Sequence, residues 1–203
     1  MQEQRIAILL SGRGSNFLAI HEAIVRGDLD AEICCVISNV PDARGLGHAR
    51  EFGIAALSLP SRGIERVDYD RMLLDTLRPY RPELVCLAGF MRILSPEFLR
   101  EYKGRVLNIH PALLPSFPGL HAQKQALEYG VKVSGCTVHI VDEGVDTGPI
   151  LLQRAVDVRP GDSEETLSAR ILEQEHQTYW RGIKLVLEFR GHNTHLSRLR
   201  HDR

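Results

Sequence analysis

The amino-acid sequence predicts an α/β protein built on a doubly wound, mostly parallel sheet, with an antiparallel pair of strands at one edge and a long C-terminal helix. Short, continuously apolar runs alternate with segments of helical periodicity, which is typical of parallel strands covered on both faces. The last two apolar runs, residues 134–141 and 150–156, leave no room for a helix between them, so they are predicted to pair antiparallel. The length of 203 residues suits a single domain.

In the first half of the chain, four predicted strands alternate with helices. The strands are predicted at residues 6–10, 33–37, 55–59 and 84–88. After the first strand, Phe17, Ile20 and Ile24 share one side of a helix that ends at Gly27. Further helices are predicted at residues 46–52, at residues 69–80 and directly after Ser95, which caps the last of them.

The second half contains a strand at residues 105–109, a proline-stiffened loop at 111–119, a helix at 121–129 and the antiparallel pair. Within the loop, the Leu114–Pro115 peptide is predicted to be cis, because cis prolines usually occupy tight turns. Asp162 or Ser163 caps the final helix, and Glu165 lies favourably in its first turn. The apolar face of that helix is predicted to comprise Leu172, Tyr179, Ile183 and Val186.

Composition and charge exclude several classes of protein. With 25 basic and 26 acidic residues, the formal net charge of −1 gives no reason to expect a nucleic acid or an anionic membrane as a partner. The N-terminal residues are polar and no stretch approaches a membrane span, so we expect neither a targeting segment nor a membrane anchor. The four cysteines lie in apolar runs without a CxxC pair, which predicts buried thiols in a cytoplasmic protein.

A glycine-rich turn directly follows the first predicted strand and opens the first helix. Gly12 and Gly14 allow positive φ and a close approach of a ligand to the backbone. Free N–H groups at a helix start favour a phosphate, and Arg13, Ser15 and Asn16 add a positive charge and side-chain donors. The turn lacks the third glycine of GxGxxG and the ending of a P-loop, so a monophosphate fits better than a pyrophosphate or a triphosphate. A turn that merely packs the helix on the sheet is the alternative.

Three polar residues predict a site for acyl or formyl transfer. Asn108 and His110 stand two residues apart at the end of a predicted strand, so their side chains point to the same side. Asp146 lies in the loop between the last two strands. When an amine attacks a formyl carbonyl, the amide and a protonated imidazole can stabilise the oxyanion, and the imidazole can then protonate the leaving nitrogen. A nearby Asp146 would orient the imidazole, favour its charged form or order a water.

Each of these residues also has a purely structural interpretation. A histidine before a proline at a strand end can be a satisfied core residue, and the segment around Asp146 can be an ordinary turn. His110, His121 and His139 lack the spacing of zinc ligands and no cysteine pair assists them, so no metal is expected. No GxSxG motif occurs, which leaves a serine nucleophile poorly supported.

Five sequence blocks, spaced between about residue 5 and about residue 180, carry a resemblance to a known family. They are SGRGSN, LAGFMRILSP, LNIHPALLPSFPG, GCTVHIVDEGVDTGPI and GDSEETLSARILEQEH. In this order they resemble the phosphoribosylglycinamide formyltransferases of purine synthesis. The resemblance implies a Rossmann-like formyltransferase fold and transfer of a formyl group from 10-formyltetrahydrofolate to the amine of glycinamide ribonucleotide. It implies no metal, no nucleic acid and no membrane, and a monomer or a homodimer.

The resemblance also implies roles for individual residues. Asn108, His110 and Asp146 match the family's catalytic amide, imidazole and carboxylate. Glu175 matches its ligand for the ribose and glycinamide end. The phosphate site matches Gly12, Arg13, Gly14, Ser15 and Asn16. The folate is held in the family through backbone and apolar contacts, with one basic residue facing its glutamate tail, and these positions match Arg66, Met91, Arg92, Ile93, Leu94, Asn108, Val141 and Asp142.

Two positions depart from the familiar family pattern. Arg13 stands where asparagine is familiar, and Leu172 stands where a polar residue often helps bind the ribonucleotide. The resemblance nevertheless implies one formyltransferase domain over residues 1–203. Its parts are a phosphate-binding half at residues 1–100, a catalytic and folate-binding half at 101–189, and a tail at 190–203.

Three other functions compete with this interpretation. A 10-formyltetrahydrofolate hydrolase would use the same residues with water in place of the amine, but such enzymes carry an extra domain before this fold and have no use for the phosphate turn. An enzyme that formylates the initiator aminoacyl-tRNA would add a C-terminal domain for the tRNA. A non-catalytic phosphosugar-binding module would not require the amide, the imidazole and the carboxylate.

Overall fold

Seven strands form one mixed sheet in the order β3-β2-β1-β4-β5-β6-β7. The computed structural model describes residues 4–199, and of residues 190–199 only the backbone. The strands are β1 (Arg5–Leu10), β2 (Glu32–Ser38), β3 (Ala56–Ser58), β4 (Leu84–Leu87), β5 (Val106–His110), β6 (Val133–Ile140) and β7 (Ile150–Asp157). The first five pair in parallel, whereas β6 is antiparallel to both β5 and β7. The predicted fold class, with its antiparallel edge pair, is confirmed, and the antiparallel pairing also includes β5.

Helices cover both faces of the sheet. They are α1 (Ser15–Val25), α2 (Arg44–Glu51), α3 (Arg66–Leu77), α4 (Pro96–Glu101), α5 (Ala122–Tyr129) and α6 (Glu164–Leu199). The helix predicted over residues 69–80 is α3 together with a 3-10 turn at Arg78–Tyr80. Ser95 caps α4 as predicted, because its Oγ accepts the Phe98 N–H at 3.3 Å. No helix in the described part of the chain is long and apolar enough to cross a membrane.

The continuous apolar run of β1 is explained by burial on both faces. Ile6, Ile8 and Leu10 pack into the core beneath α1, α2 and α6. Ala7 and Leu9 point the other way, into a second core beneath α3 and α4. Alternate side chains therefore enter two separate apolar layers, and neither face tolerates a polar residue.

Helix α6 begins as predicted but packs slightly differently from the prediction. Ser163 is the cap, since its Oγ accepts the Thr166 N–H at 3.3 Å, while the Asp162 carboxylate pairs with Arg170 at 2.7 Å. Ile171 is buried against the sheet, so the next residue, Leu172, turns away and is only half-buried. The inclusion of Leu172 in the apolar face is therefore wrong. The helix continues through Leu199, so most of the predicted tail is helical, and residues 200–203 lie outside the described residues.

Two smaller predictions are confirmed. The Leu114–Pro115 peptide is cis. The cysteines are all buried and unpaired, and they are Cys34, Cys35, Cys86 and Cys136.

Candidate active site

The glycine-rich turn lies between β1 and α1 and packs tightly against α2. Gly14 has a φ of 78°, and a Cβ at this position would lie 2.8 Å from the Cα of Gly45. The Gly45 N–H also donates to the Gly12 carbonyl at 3.1 Å. Glycine is therefore required at position 14 for both conformation and space. Ser15 and Asn16, the first two residues of α1, line the cavity described next, and the first N–H groups of a helix have no partner within the helix.

A cavity of about 750 Å³ opens beside this turn. It is lined by the turn, by the start of α6 and by the segment after β4, including Gly12, Arg13, Gly14, Ser15, Asn16, Ala88, Gly89, Met91, Gln123, Leu172 and Glu175. All of the residues predicted to bind the ribonucleotide thus meet at one cavity. Leu172 occupies part of its wall, in agreement with its half-buried position next to Ile171.

Asn16 and Glu175 connect the turn to α6 at the wall of the cavity. The Asn16 Nδ2 donates to Glu175 Oε2 at 2.8 Å, and both side chains are 7% exposed. Burial raises the pKa of Glu175 to about 7, and the hydrogen bond from Asn16 offsets this only in part. The Asn16 Oδ1 is buried without a hydrogen-bond partner among the described residues. An unpaired acceptor at a cavity wall is a group that a ligand's hydroxyl or amine can satisfy.

The Asp146 carboxylate is the centre of a second cluster, formed with Asn108 and His110. The Asp146 Oδ2 lies 3.2 Å from His110 Nδ1 and accepts the Gly119 N–H at 2.8 Å. The Asn108 Nδ2 lies 3.5 Å from Asp146 Oδ1. The three residues predicted to be catalytic are therefore brought together, although they come from a strand and from a distant loop.

The contacts around Asp146 favour its ionised form. Burial by itself would raise the pKa of Asp146, but the hydrogen bonds from His139 and from the Gly119 amide outweigh this effect, together with the charges of His110 and His139. The net result is a pKa below the ordinary value of 3.8. Asp146 thus provides a fixed negative charge against the His110 ring.

Both ring nitrogens of His110 face oxygen acceptors. The Nδ1 faces Asp146, and the Nε2 lies 2.8 Å from the carbonyl oxygen of Phe117. Phe117 has a left-handed backbone, with a φ of 54°, which turns this carbonyl toward the ring. The imidazole is therefore held on both sides in a single orientation.

Sequence reasoning missed His139, which completes the Asp146 cluster. Its Nε2 lies 3.5 Å from Asp146 Oδ1 and 3.2 Å from Asn108 Nδ2. His139 in β6 is the direct partner of Asn108 in β5, so the sheet register brings the two together. A signal was present, since Thr137 and His139 are polar residues at i and i+2 that alternate with the apolar residues Cys136, Val138 and Ile140.

A tight loop returns Asp146 to the strand that carries His110. Because β6 is antiparallel to β5, it ends at Ile140 opposite Leu107, three residues before His110. The loop must then fold back along β5. Asp146 adopts a left-handed φ of 55°, and a Cβ on Gly148 would lie 1.8 Å from the Ile140 carbonyl oxygen. The loop geometry thus depends on a conformation that Asp tolerates and on a position that only glycine fills.

The residues predicted to contact the folate fall into two groups. Met91 and Ile93 are exposed, by 67% and 55%, whereas Leu94 is buried in the core. The Arg92 guanidinium turns inward, donates to two carbonyl groups in the segment after β3, and lies 4.5 Å from the centre of the Tyr69 ring. Arg92 therefore offers a ligand its backbone and not its guanidinium.

The remaining predicted folate residues lie at the periphery. Arg66 is exposed at the first position of α3. Val141 is half-buried directly after β6. Asp142 is exposed, and its Oδ1 accepts hydrogen bonds from Gly144 N at 3.1 Å and from Thr147 Oγ1 at 2.7 Å. The Asp142 carboxylate is thus engaged in shaping the loop that carries Asp146.

The cavity and the Asp146 cluster are adjacent along the sheet. Asn108 pairs with Leu87, the last residue of β4, and the next two residues, Ala88 and Gly89, line the cavity. Among the residues that the structure describes, no group of three or more His, Cys, Asp or Glu side chains is arranged to hold a metal ion. A glycine-rich turn at a helix start, beside an amide, an imidazole and a carboxylate, is an arrangement that can bind a phosphorylated amine and transfer an acyl group to it.

Comparison with known proteins agrees with this geometry. Residues 4–183 match the formyl transferase family. The chain is 47% identical to phosphoribosylglycinamide formyltransferase of Escherichia coli over 175 residues, which is 86% of this chain and 82% of that protein. The crystal structure of glycinamide ribonucleotide transformylase 1 from Symbiobacterium toebii superposes with a TM-score of 0.90 at 48% identity, covering 93% of this chain and 89% of that one.

Two further relatives differ in length from this chain. It is 51% identical to the trifunctional purine biosynthetic protein adenosine-3 of Drosophila pseudoobscura pseudoobscura over 187 residues, but it spans only 14% of that protein's length. A formyltetrahydrofolate deformylase from Pseudomonas syringae superposes with a TM-score of 0.87 at a lower identity of 32%, and the match covers 63% of that chain. Because the family match spans most of the sequence, and the E. coli relative is aligned over most of its own length, the chain belongs to the formyl transferase family and, within it, to the phosphoribosylglycinamide formyltransferases.

Proposed function

We propose that this protein transfers the formyl group of 10-formyltetrahydrofolate to the amine of glycinamide ribonucleotide. The observation that carries this proposal is the placement of the Asp146 cluster beside a cavity that begins at the glycine-rich turn. A binding module needs only the cavity, and a hydrolase needs only the cluster. Their combination supports an enzyme that holds a phosphorylated amine next to an acyl-transfer centre.

The ribonucleotide is proposed to lie in the cavity with its phosphate on the turn. The backbone N–H groups at the start of α1 and the side chains of Arg13 and Ser15 supply donors and positive charge there. Asn16 and Glu175, farther along the wall, offer a buried acceptor and a carboxyl group to the ribose and glycinamide end. The exposed apolar side chains of Met91 and Ile93 suit a flat, largely apolar co-substrate on the other side.

Formyl transfer then proceeds by attack of the amine nitrogen on the formyl carbon. A carbon–nitrogen bond forms, and the carbonyl electrons move onto oxygen, which accepts hydrogen bonds from Asn108 and His110. The bond between the formyl carbon and the folate nitrogen breaks, and that nitrogen takes a proton from His110. The proton that the amine loses restores the protonated imidazole. The products are the formylated ribonucleotide and tetrahydrofolate.

The position of His110 adds one requirement to this mechanism. Its Nδ1 faces Asp146, so the nitrogen available to the substrate is Nε2, which here faces the Phe117 carbonyl at 2.8 Å. The carbonyl must give up this contact when the substrate arrives. Asp146 meanwhile holds the ring in place through its contact with Nδ1.

A spectrophotometric assay with 10-formyltetrahydrofolate tests the proposal, run with and without glycinamide ribonucleotide. Consumption of the folate only when the ribonucleotide is present supports the transferase. Consumption in its absence would identify a hydrolase, and no consumption in either case would identify a passive binder. A cytoplasmic location, a monomeric or homodimeric state, and the absence of nucleic-acid and membrane partners stay predictions.

A further inference from the structure

Three side chains beyond the carboxyl ends of neighbouring strands form a hydrogen-bonded chain that formyl transfer does not use directly. Ser11 follows β1, Asn39 follows β2, and Ser61 lies in the segment after β3. The Ser11 Oγ donates to Asn39 Oδ1 at 2.5 Å, and the Asn39 Nδ2 donates to Ser61 Oγ at 3.1 Å. This Ser11–Asn39–Ser61 chain runs along the edge of the sheet at which ligands of doubly wound folds bind.

Both ends of the chain connect to the segment after β4. The Met91 N–H donates to Ser11 Oγ at 2.8 Å, and the Arg92 guanidinium donates to the Ser61 carbonyl at 3.2 Å. Asn39 and Ser61 are joined a second time, because the Ser61 N–H donates to the Asn39 carbonyl at 3.3 Å. The hydrogen bonds thus close a ring through the segments that follow four adjacent strands.

The ring fixes the segment that carries Met91 and Ile93 relative to the glycine-rich turn. Ser11 directly precedes Gly12, and its N–H donates to the Gly89 carbonyl at 3.0 Å. With the Met91 amide and the Arg92 guanidinium both tied to the ring, the side chains of Met91 and Ile93 remain outside and exposed. The two sides of the proposed active site therefore share one polar support.

Asn39 is the central member of this support because its amide both accepts and donates. A serine hydroxyl has one proton and two lone pairs. When Asn39 accepts a hydrogen bond from the Ser11 hydroxyl, the lone pairs of the Ser11 oxygen are left to accept the Met91 N–H. Without Asn39 the hydroxyl can rotate toward another acceptor, and the hold on Met91 weakens. Among the described residues lining the cavity, Asn39 does not occur, so it has no direct role in binding there.

We propose that Asn39 is a positioning residue for formyl transfer, which sets the Met91–Ile93 segment against the glycine-rich turn by orienting the Ser11 hydroxyl. This proposal rests on the proposed function, because it assigns the segment to the folate side of the same site. The expected consequence of losing Asn39 is a misplaced folate surface with an intact phosphate site. The bonds from Gly45 to Gly12 and from Asn16 to Glu175 do not involve Asn39.

Amide hydrogen exchange of Met91, followed by NMR in the full chain, tests the proposal independently of activity. In Asn39→Ala the Met91 amide should exchange roughly five- to tenfold faster, the size expected for one weakened hydrogen bond. Ser38→Ala is the matched control, since Ser38 is the last residue of β2 and its hydroxyl bonds locally to the Val40 backbone. Asn39→Asp should restore slow exchange, because a carboxylate accepts from both the Ser11 and the Ser61 hydroxyls.

Kinetics give the second measurement. In Asn39→Ala the KM for 10-formyltetrahydrofolate should rise roughly five- to tenfold, whereas the KM for glycinamide ribonucleotide should change by less than about twofold. Unchanged Met91 exchange in a folded Asn39→Ala variant would overturn the proposal, and so would an equal effect in Ser38→Ala.

If Asn39→Ala does not fold, Ser61→Ala carries the exchange measurement, since it removes only the far acceptor of the chain. Faster exchange of Met91 in that variant supports the proposal, and unchanged exchange overturns it. A wild-type protein that transfers no formyl group would refute the proposed function, whereas the exchange result reports on the hydrogen-bonded ring alone.

Discussion

The Glu175→Gln substitution should raise the free energy of unfolding by about 3 kcal/mol at pH 8 and change it little near pH 4.5. Glu175 is 7% exposed, and burial raises its pKa to about 7, from an ordinary value of 4.5. Each tenfold change in proton affinity between the folded and unfolded states is worth about 1.36 kcal/mol. The difference between the two pKa values therefore corresponds to about 3 kcal/mol, which is the cost of keeping an ionised carboxylate in this site.

The sign of this effect follows from which state binds the proton. Below about pH 4.5 both the folded and the unfolded carboxyl are protonated, and the folded protein bears no cost. Between pH 4.5 and 7 only the folded carboxyl keeps its proton, so stability falls as the pH rises. Glutamine at this position stays neutral and retains an oxygen acceptor for Asn16 Nδ2. The advantage of the variant should therefore grow between pH 4.5 and 7 and stay constant above pH 7.

Urea unfolding followed by the fluorescence of Trp180, the single tryptophan, measures this difference at pH 5, 6, 7 and 8. Glu173→Gln, an exposed position on the same helix, is the control and should give a difference that does not vary in this way. Stability curves for Glu175→Gln and wild type that run parallel across the whole pH range would refute the reasoning. Glu175 would then ionise as readily in the folded protein as in the unfolded chain.

The remaining predictions concern catalysis and substrate binding. His110→Ala should lower turnover at least ~100-fold through loss of general acid catalysis, with an unchanged circular dichroism spectrum; wild-type turnover would remove His110 from the mechanism. Asp146→Asn should be similarly severe. Because the pKa of Asp146 is lowered, the contribution of its carboxylate to turnover in the wild type should be lost only as the pH falls below 3.8. A wild-type pH–rate profile in the variant would contradict the pairing of Asp146 with His110. Ser15→Ala combined with Asn16→Ala should raise the KM for the ribonucleotide far more than the KM for the folate; equal increases would move the phosphate away from the turn.

Most of the fold could be predicted because burial on both faces of a strand leaves a direct mark on the sequence. The apolar run of β1 indicates a strand buried on both faces, and the short link between β6 and β7 indicates that these two strands pair antiparallel. The buried face of α6 was harder to predict, because this helix packs on the sheet while its first turns also line a cavity. Leu172 is apolar and was therefore predicted to face the core. In the structure the adjacent Ile171 is buried in the core, and Leu172 lines the cavity.

The Asp146 cluster could be predicted only in part, because strand register is not visible in a single sequence. Asn108 and His110 share a side by the two-residue period of a strand, and this was predictable. The approach of His139 to Asp146 depends on the pairing of His139 with Asn108. A shift of one residue in that pairing would turn His139 to the opposite face and remove it from the site.

Arg92 shows why a matched motif gives the position of a residue but not the direction of its side chain. In the motif it stands between Met91 and Ile93, and the resemblance implies backbone and apolar contacts to the folate in this segment. The structure directs the Arg92 guanidinium toward backbone carbonyls and the Tyr69 ring. Because the guanidinium donates to these carbonyls and lies against the Tyr69 ring, we expect the charge that meets a glutamate tail to come from elsewhere, and the exposed Arg66 at the start of α3 is the predicted source. Arg66→Ala should therefore weaken the binding only of folates that carry a glutamate tail. Arg92→Ala should weaken the binding of folates with and without the tail, because this substitution releases the Met91–Ile93 segment that both kinds of folate would contact.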